Sequence, residues 1–480
     1  MATQHNFSLM MLYDGRWVFN PEAVYQYLCE NGFGRLPIQA DGKIYLVRVE
    51  DNIAYDVDVG SVSDICIKKI EKDIQEAPAD EMDRRNIDTR SLRGSGIIHK
   101  KPFQTDLKEI KPSEVIDLSN KGFFFFRNGV VEVTDKEIKL VKYSDFDFKG
   151  RIIYERSLID FEIDLSKKDS FKTSEWSKFC ANAVRDVDSL QRNYGYLLHK
   201  FKFPHLSKMI VFTDADKGDG IADGGNGKSL LMKSLKHMRG LTYIDGKNFN
   251  TESQFKYQTY KDGDSILLID DISKGFKITS LYNTVSGGIE IERKHLTPII
   301  IEAERSPKLA ITSNYGLRID GASDKRRVTT TLFTHYYDDE KTPYSVHKEI
   351  FFSRDEWEGW NDFYLWGINC LQQYLIHGMK DDGSGVAARS AVYSEYSEDI
   401  ILTVEEFIEK GIVPVSEVFE VLSDNKYFNK KTMLKNVRRI AKTVFGVDVD
   451  STSRRDVGCI QRFYEFSKGG KSLAKDEDPF

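Results

Sequence analysis

No apolar run of about 18 residues occurs in this sequence, so no transmembrane helix is expected. Residues 1–5 carry neither a basic segment nor an apolar one, and no secretion leader is expected. Cysteine is sparse and scattered: Cys29, Cys66, Cys180, Cys370 and Cys459 stand singly, with no Cys-x-x-Cys pair. That spacing argues against a zinc ribbon and suits a reducing compartment, the cytoplasm. A surplus of positive charge is also lacking. The 69 Lys and Arg against 75 Asp and Glu leave a net charge of −6. Any nucleic-acid binding must therefore come from local patches.

What is present is an ordinary globular composition, 40% hydrophobic and 30% charged, over 480 residues. That length predicts roughly two to four domains. One stretch organises the rest. Gly224, Gly225, Asn226, Gly227, Lys228 and Ser229 follow a strand-like run at 209–212 and open into a helical run at 230–235. Glycines let a backbone fold so that its N–H groups converge on phosphate oxygens, and the following helix aims its positive end at the same place. Lys228 can reach the outer phosphates, and the Ser229 hydroxyl can hold Mg²⁺. Ala222 stands where the full G-x-x-x-x-G-K-[ST] pattern has its first glycine. A glycine-rich surface turn is the plain alternative, and the strand-before, helix-after setting argues against it. Residues 214–220 resemble a calcium loop, but Asp219 sits where that loop needs glycine, and Gly225 where it needs a bidentate Glu. Residues 214–221 read as a polar excursion between strand and cradle.

Along the chain, 16–19 and 43–49 read as strands, and 21–31 as a helix capped by Asn20. Residues 71–96, dense in charge, read as a linker or an exposed helix. Strand-like runs at 122–126, 129–133 and 137–141 suggest hairpins. Asp56 and Asp58 could be the paired carboxylates of a polymerising primase, but Asp-x-Asp recurs at 145/147, 186/188 and 448/450. A solvent-facing alternation is the favoured reading. Residues 176–200 are helical by period.

An apolar strand at 265–271 ends in Asp270 and Asp271, 43 residues past Lys228. Buried parallel strands look like this, and carboxylates at their carboxyl ends sit where ligands bind. Asp270 can hold Mg²⁺ and Asp271 can polarise an attacking water. A third strand at 308–314 ends in Asn314, 43 residues further on, where an amide can orient the water; an ordinary turn cap is the alternative. Arg326 and Arg327 follow in a basic turn. A paired Arg there suits a finger that stabilises transition-state charge on a neighbour's nucleotide. Between the acids and Asn314, two alternating runs flank Arg293, Lys294 and His295. They predict a β-hairpin with a cationic tip, which would either grip DNA phosphates or pair with a neighbour's charges.

This order of cradle, acidic strand, basic hairpin, Asn-ended strand and paired Arg resembles the superfamily 3 helicases of viruses, phages and plasmids. It is most similar to the poxvirus/phage-type primase–helicases. The resemblance implies an α/β protein: an AAA+-like P-loop ATPase core, an N-terminal β-rich α+β region and a C-terminal winged-helix-like domain. It implies a hexamer using ATP and Mg²⁺ to move on single-stranded and forked DNA during replication, in the host cytoplasm if phage-encoded, possible partners being a primase or other replication proteins. By the same resemblance Gly224 to Ser229 bind nucleotide, Ser229 and Asp270 hold the metal, and Asn314 is the sensor. Arg326 or Arg327 is the trans finger, and Arg293, Lys294 and His295 grip the strand.

Residues 381–385 read as a linker. Beyond them, 403–410, 415–422 and 430–444 read as helices, and 447–449 with 459–466 as a β-pair around 453–455, an order that suggests a winged helix. From 423 to 468 there are 11 Lys and Arg against 5 Asp and Glu. Lys431, Lys435, Arg438 and Lys442 would lie on one helix face, with Arg454 and Arg455 on the wing. Duplex DNA and a solvated structural cap are even alternatives. The expected division is 1–165 accessory region, 166–203 helical connector, 204–380 ATPase domain and 388–480 DNA-binding domain. Two rival functions stay open: an AAA+ ATPase that remodels or loads proteins, and a bifunctional primase–helicase.

Overall fold

The computed structural model describes residues 9–13, 16–36, 44–76, 98–110, 117–203, 206–214, 225–261, 263–273, 275–294, 297–315, 317, 322–383, 389, 392–393, 395–456 and 459–473. The chain falls into two compact units. One comprises Met1–Ile163 with Arg293–Pro298, the other Asp164–Glu292 with Ile299–Phe480.

In the first unit, β1 (Met10–Tyr13) and β2 (Arg16–Phe19) form a hairpin. Helix α1 (Pro21–Glu30) starts as its sequence predicts: Asn20 Oδ1 accepts the N–H groups of Glu22 and Ala23, and proline fills the first turn. Strands β3 (Phe33–Arg35), β4 (Leu46–Glu50) and β5 (Ile53–Val57) lead into α2 (Val59–Glu76). Residues 71–76 are therefore the end of a helix, and 77–97 lie outside the described residues. Asp58 caps α2, its Oδ1 accepting the Ser61 N–H at 2.9 Å, while Asp56 is exposed on β5. The paired-carboxylate reading thus loses Asp58 to local structure.

After the short α3 (Lys101–Asp106), β6 (Lys121–Phe126), β7 (Gly129–Thr134) and β8 (Ile138–Val141) make the expected antiparallel meander. Strand β9 (Ile153–Tyr154) completes a sheet of order β3-β4-β5-β9, and β10 (Leu158–Ile159) adds to β6. Phe146 packs edge-on against Phe123 and Phe148, with ring centroids 5.5 and 4.9 Å apart.

The second unit begins with two helices, α4 (Glu175–Ala183) and α5 (Val187–Leu198), where the sequence pattern suggested one. The break comes where Asp186 caps α5 by accepting the N–H groups of Asp188 and Ser189. A five-stranded parallel sheet follows. Its strands are β11 (Met209–Asp214), β12 (Leu241–Asp245), β13 (Ile266–Asp270), β16 (Lys308–Ser313) and β17 (Val328–Phe333), in the order β12-β13-β16-β11-β17. Every residue of β11, β13, β16 and β17 is buried, as both-faced cover requires. The connections carry α6 (Lys228–Ser234), α7 (Tyr282–Ser286), the hairpin β14 (Ile289–Ile291) with β15 (Ile299–Ile301), and α8 (Ala322–Arg327).

Alternation along the strands decides what each face meets. Met209, Val211, Leu267, Ile269, Leu309 and Ile311 share one core with Tyr257, Leu281, Val285 and Ile289. After α9 (Pro343–His347), the long α10 (Trp360–His377) lies along α5. Their axes come so close at Gly195 that an added Cβ would sit 2.0 Å from the Cys370 carbonyl oxygen. The charges at the carboxyl end of α5 suit its dipole: Lys308 Nζ donates to the Tyr196 and His199 carbonyls, and Arg239 Nε to Leu198.

The expected linker begins tied down. Thr330 donates its N–H to Asp381 Oδ1 at 2.8 Å, and the Asp382 N–H donates to the Thr330 carbonyl. Lys380 pairs with Asp186 and Asp188 at 2.7 and 2.9 Å.

The tail folds as α11 (Glu398–Lys410), β18 (Ile412–Pro414), α12 (Val415–Leu422), α13 (Met433–Ile440), β19 (Asp448–Asp456), β20 (Cys459–Lys468) and β21 (Lys471–Ser472). The antiparallel order is β18-β20-β19, with β21 on β20. Strand β19 outruns its expected length, so 453–455 lie within it and the connection to β20 falls after Asp456. Its cross-strand partners continue to Asp456–Cys459, which is why the strand does not stop at Val449.

Candidate functional site

Parallel strands all end on the same edge, so residues far apart in sequence meet there. The turn after β11 carries Gly225 at φ 92° and Gly227 at φ 84°, both in the left-handed region that glycine alone enters freely. A Cβ at Gly227 would also press on the Phe179 ring at 3.0 Å. Lys228 and Ser229 open α6. Ser229 Oγ lies 3.3 Å from Asp270 Oδ1, at the end of β13. Asp270 is 3% exposed. It also accepts hydrogen bonds from Thr312 Oγ1 at 2.5 Å and Tyr243 Oη at 3.2 Å. Burial, and then Asp270, push the Tyr243 hydroxyl up to about 12.

Asp271 sits at φ 60°, a left-handed backbone that costs a non-glycine residue about 1–2 kcal/mol. Three contacts hold it there. Its N–H donates to Thr312 Oγ1 at 2.7 Å, its Oδ1 accepts from Asn314 Nδ2 at 3.0 Å, and its Oδ2 pairs with Lys247 at 2.8 Å. Lys228 is 7% exposed, and burial pulls its ammonium below the usual lysine range. Asp214, Asp271 and Asp270 oppose that shift. Its direct partner is Asp214 Oδ1, at the end of β11, which also accepts from Asn226 Nδ2 at 2.9 Å.

Lys228, Ser229, Asp270, Asp271 and Asn314 thus come together from three strands. Gly224 lies outside the described residues. Ser229 and Asp270 offer a hydroxyl and a carboxylate side by side, an all-oxygen pair suited to Mg²⁺, which binds through few protein ligands and keeps its waters. The sequence reading missed Asp214, Tyr243, Lys247 and Thr312. Asp214 carried a signal, since it ends an apolar strand just as Asp270 does. Tyr243 and Lys247 carried none, because only the pairing of β12 beside β13 brings them to the acids.

Arg326 and Arg327 lie elsewhere. Helix α8 leads into the amino end of β17, where Val328 pairs with Met209, the first residue of β11. The cradle follows the other end of β11, about 20 Å away along a six-residue strand. Arg327 is occupied: it donates to Ser323 Oγ at 2.7 Å and lies over the Tyr282 ring at 5.3 Å. Arg326 is exposed.

On the hairpin, Arg293 is half-buried and Lys294 exposed, while His295 lies outside the described residues. In the tail, Lys431, Lys435, Arg454 and Arg455 are exposed. Arg438 donates to the Val449 carbonyl and pairs with Asp450 at 3.2 Å, and Lys442 pairs with Asp448 at 2.7 Å. The helix face expected to be uniformly basic is partly neutralised by the neighbouring strand.

No protein-family model matches the chain, and no curated protein matches it. Among solved structures, the apo C-terminal region of NrS-1 is similar at 14% identity and a TM-score of 0.38, covering 93% of this chain and 99% of that one. The JCV helicase with a bound thiazolopyridine compound is similar at 11% identity and a TM-score of 0.26, covering 49% of this chain and 64% of that one. A full-length MCM homolog from Methanopyrus kandleri is similar at 10% identity and a TM-score of 0.24, covering 66% of this chain and 64% of that one.

Proposed function

We propose that the chain is an ATP-driven DNA helicase of the superfamily 3 type, working as a ring, in the cytoplasm, in the replication of a phage or other mobile element. One observation carries the reading. A phosphate-type turn, a hydroxyl and carboxylate pair, a second carboxylate and an amide meet at the carboxyl edge of a parallel sheet in which the Asn-ended strand lies between the cradle strand and the acidic strand. That placement supports a P-loop ATPase core of the AAA+ kind.

In this reading the backbone N–H groups at 225–229 and the Lys228 ammonium hold the outer phosphates of ATP. Ser229 and Asp270 hold Mg²⁺, which when bound offsets the phosphate charge. Asp271 takes a proton from the attacking water, and Asn314 keeps that carboxylate and the water aligned. Arg326 is the finger. It stands at the far edge of its own sheet, exposed and with no partner among the described residues, so it serves a neighbouring subunit's phosphates, whereas Arg327 braces Tyr282. Lys294 with Arg293 and His295 forms the strand-gripping tip. The tail supports a winged helix by its order of helices and strands, with Lys431, Lys435, Arg454 and Arg455 as its phosphate contacts and Arg438 tied to its own strand.

ATPase activity measured with and without single-stranded DNA, beside strand displacement on forked DNA, tests the proposal. Hydrolysis stimulated by single strands and coupled to unwinding is expected. Hydrolysis indifferent to DNA, with no displacement, would make the chain a protein-remodelling ATPase instead.

A further inference from the structure

Asp214 is not part of the phosphate-binding pattern, yet it holds the residue on which that pattern depends. Its Oδ1 accepts from both Lys228 Nζ and Asn226 Nδ2. Asp214 is 8% exposed, and its Oδ2 is buried with no hydrogen-bond partner among the described residues. Asn226 in turn lies 3.3 Å from His335 Nδ1, so the side chain that shares Asp214 is itself fixed from β17's far end. A buried anion thus receives two donors of the cradle, from the side chains flanking Gly227. This is the arrangement a phosphate oxygen would claim.

We infer that Asp214 is a phosphate placeholder. With no nucleotide bound, it holds the Lys228 ammonium in place, and nucleotide binds by drawing that ammonium away from it. The inference rests on the nucleotide-site reading above. It adds a residue that sets how tightly the outer phosphates are held.

The direction of the effect follows from the charges. Two buried unit charges in contact attract strongly even at an effective dielectric near 20. Nucleotide must replace that attraction before it gains its own. Once Lys228 has moved to the phosphates, Asp214 is left as an anion close to a polyanion, which weakens the complex again. Asp214 therefore lowers affinity for ATP and ADP and speeds ADP departure, while the positioned lysine needs no search on rebinding. A site that must cycle gains from this, because a motor held by its product stalls. Asp214 acts through Lys228, so it is a positioning residue.

The test is nucleotide binding by the full chain and by Asp214→Asn, which keeps the shape and an acceptor for Asn226 but removes the charge. ATP, ADP and adenosine are each titrated, and ADP release is followed by stopped flow. The expected result is ATP and ADP bound about tenfold tighter and ADP released about tenfold slower, with adenosine affinity unchanged, because adenosine carries no phosphate to compete. Asp214→Glu, which keeps the charge, should restore weak binding. Asp214→Ser, which leaves room for a water beside the ammonium, serves if the Asn variant does not fold. Weaker or equal ATP binding by the neutral variants would overturn the placeholder and leave the nucleotide site standing. Equal tightening of adenosine would overturn it too. A wild-type chain that binds neither ATP nor ADP would remove the site and the placeholder together.

Discussion

Two sheets of this chain teach opposite lessons about where chemistry can be built. The meander β6-β7-β8 is antiparallel, so consecutive turns alternate between its two ends and no end gathers more than neighbouring stretches of sequence. Its content is packing: Phe124, Phe126, Val130, Val131 and Val133 are fully buried. The sheet β12-β13-β16-β11-β17 is parallel. Each strand returns through a crossover, and residues as distant as Asp214, Asp270 and Asn314 end on one edge. The parallel sheet concentrates polar groups because its topology forces all its carboxyl ends together, and it bears the electrostatic strain of doing so.

The comparison can be broken by substitutions that ought to separate activity from stability. If the proposed site is right, Lys228→Ala is expected to abolish ATP hydrolysis, a loss of a thousandfold or more, since it removes the charge assigned to the outer phosphates. It should also lower the unfolding midpoint, because Asp214 is left as a buried charge with only the Asn226 amide beside it and no countercharge, a loss of about 3 kcal/mol. Adding Asp214→Asn should recover the stability and not the turnover; recovery of both would place the chemistry elsewhere. Arg326→Ala, at the opposite edge of the same sheet, should cost about a thousandfold in turnover with little change in stability. Mixed with Lys228→Ala protein it should regain part of the activity, because some interfaces then pair an intact cradle with an intact finger. Mixtures that stay inactive at every ratio would count against a shared site.

Phe124→Ala in the meander inverts the pattern. It should cost about 3–5 kcal/mol of stability, read by denaturant unfolding, while the turnover of the folded fraction stays at the wild-type value. A turnover that falls with it would tie the meander to the catalytic cycle.

The smallest effect belongs to His237, in the short 3-10 turn that follows α6. It stacks on Phe352 at 4.8 Å, its Nε2 is buried without a partner among the described residues, and burial pushes its pKa down to about 4. An unfolded histidine takes its proton near pH 6.5. Stability should therefore be intact above pH 6.5 and fall as the pH drops from there to about 4. After allowance for its partial exposure the loss is about 2 kcal/mol. His237→Phe should flatten that part of the profile, and an unaltered acid slope would assign it to other groups.

Much of the site was legible because its signals are local. The cradle's glycines, the Lys-Ser pair, and apolar strands ending in Asp270, Asp271 and Asn314 each show within a dozen residues. Period and capping likewise marked α1 and the three meander strands. The break between α4 and α5 was missed because hydrophobic period runs through it, whereas the Asp186 cap decides it. Strand β19 was read short because its outer half is exposed and polar, and only pairing with β20 extends it.

The sequence by itself determined that the polar groups exist at strand ends, since a strand buried on both faces must be apolar until it emerges. It determined too that Gly227 and Gly225 free the backbone for a tight turn. Only the tertiary structure decided which ends are neighbours. The strand order puts Asn314 beside Asp271, and β12 beside β13 brings Tyr243 and Lys247 to the acids. It also decided that Arg327 is spent on Tyr282 while Arg326 stays exposed. Lys228 faces Asp214 for the same reason. Strand order and the closing of a turn are long-range facts, set by crossover handedness and burial summed over the whole sheet, and no stretch of a dozen residues contains them.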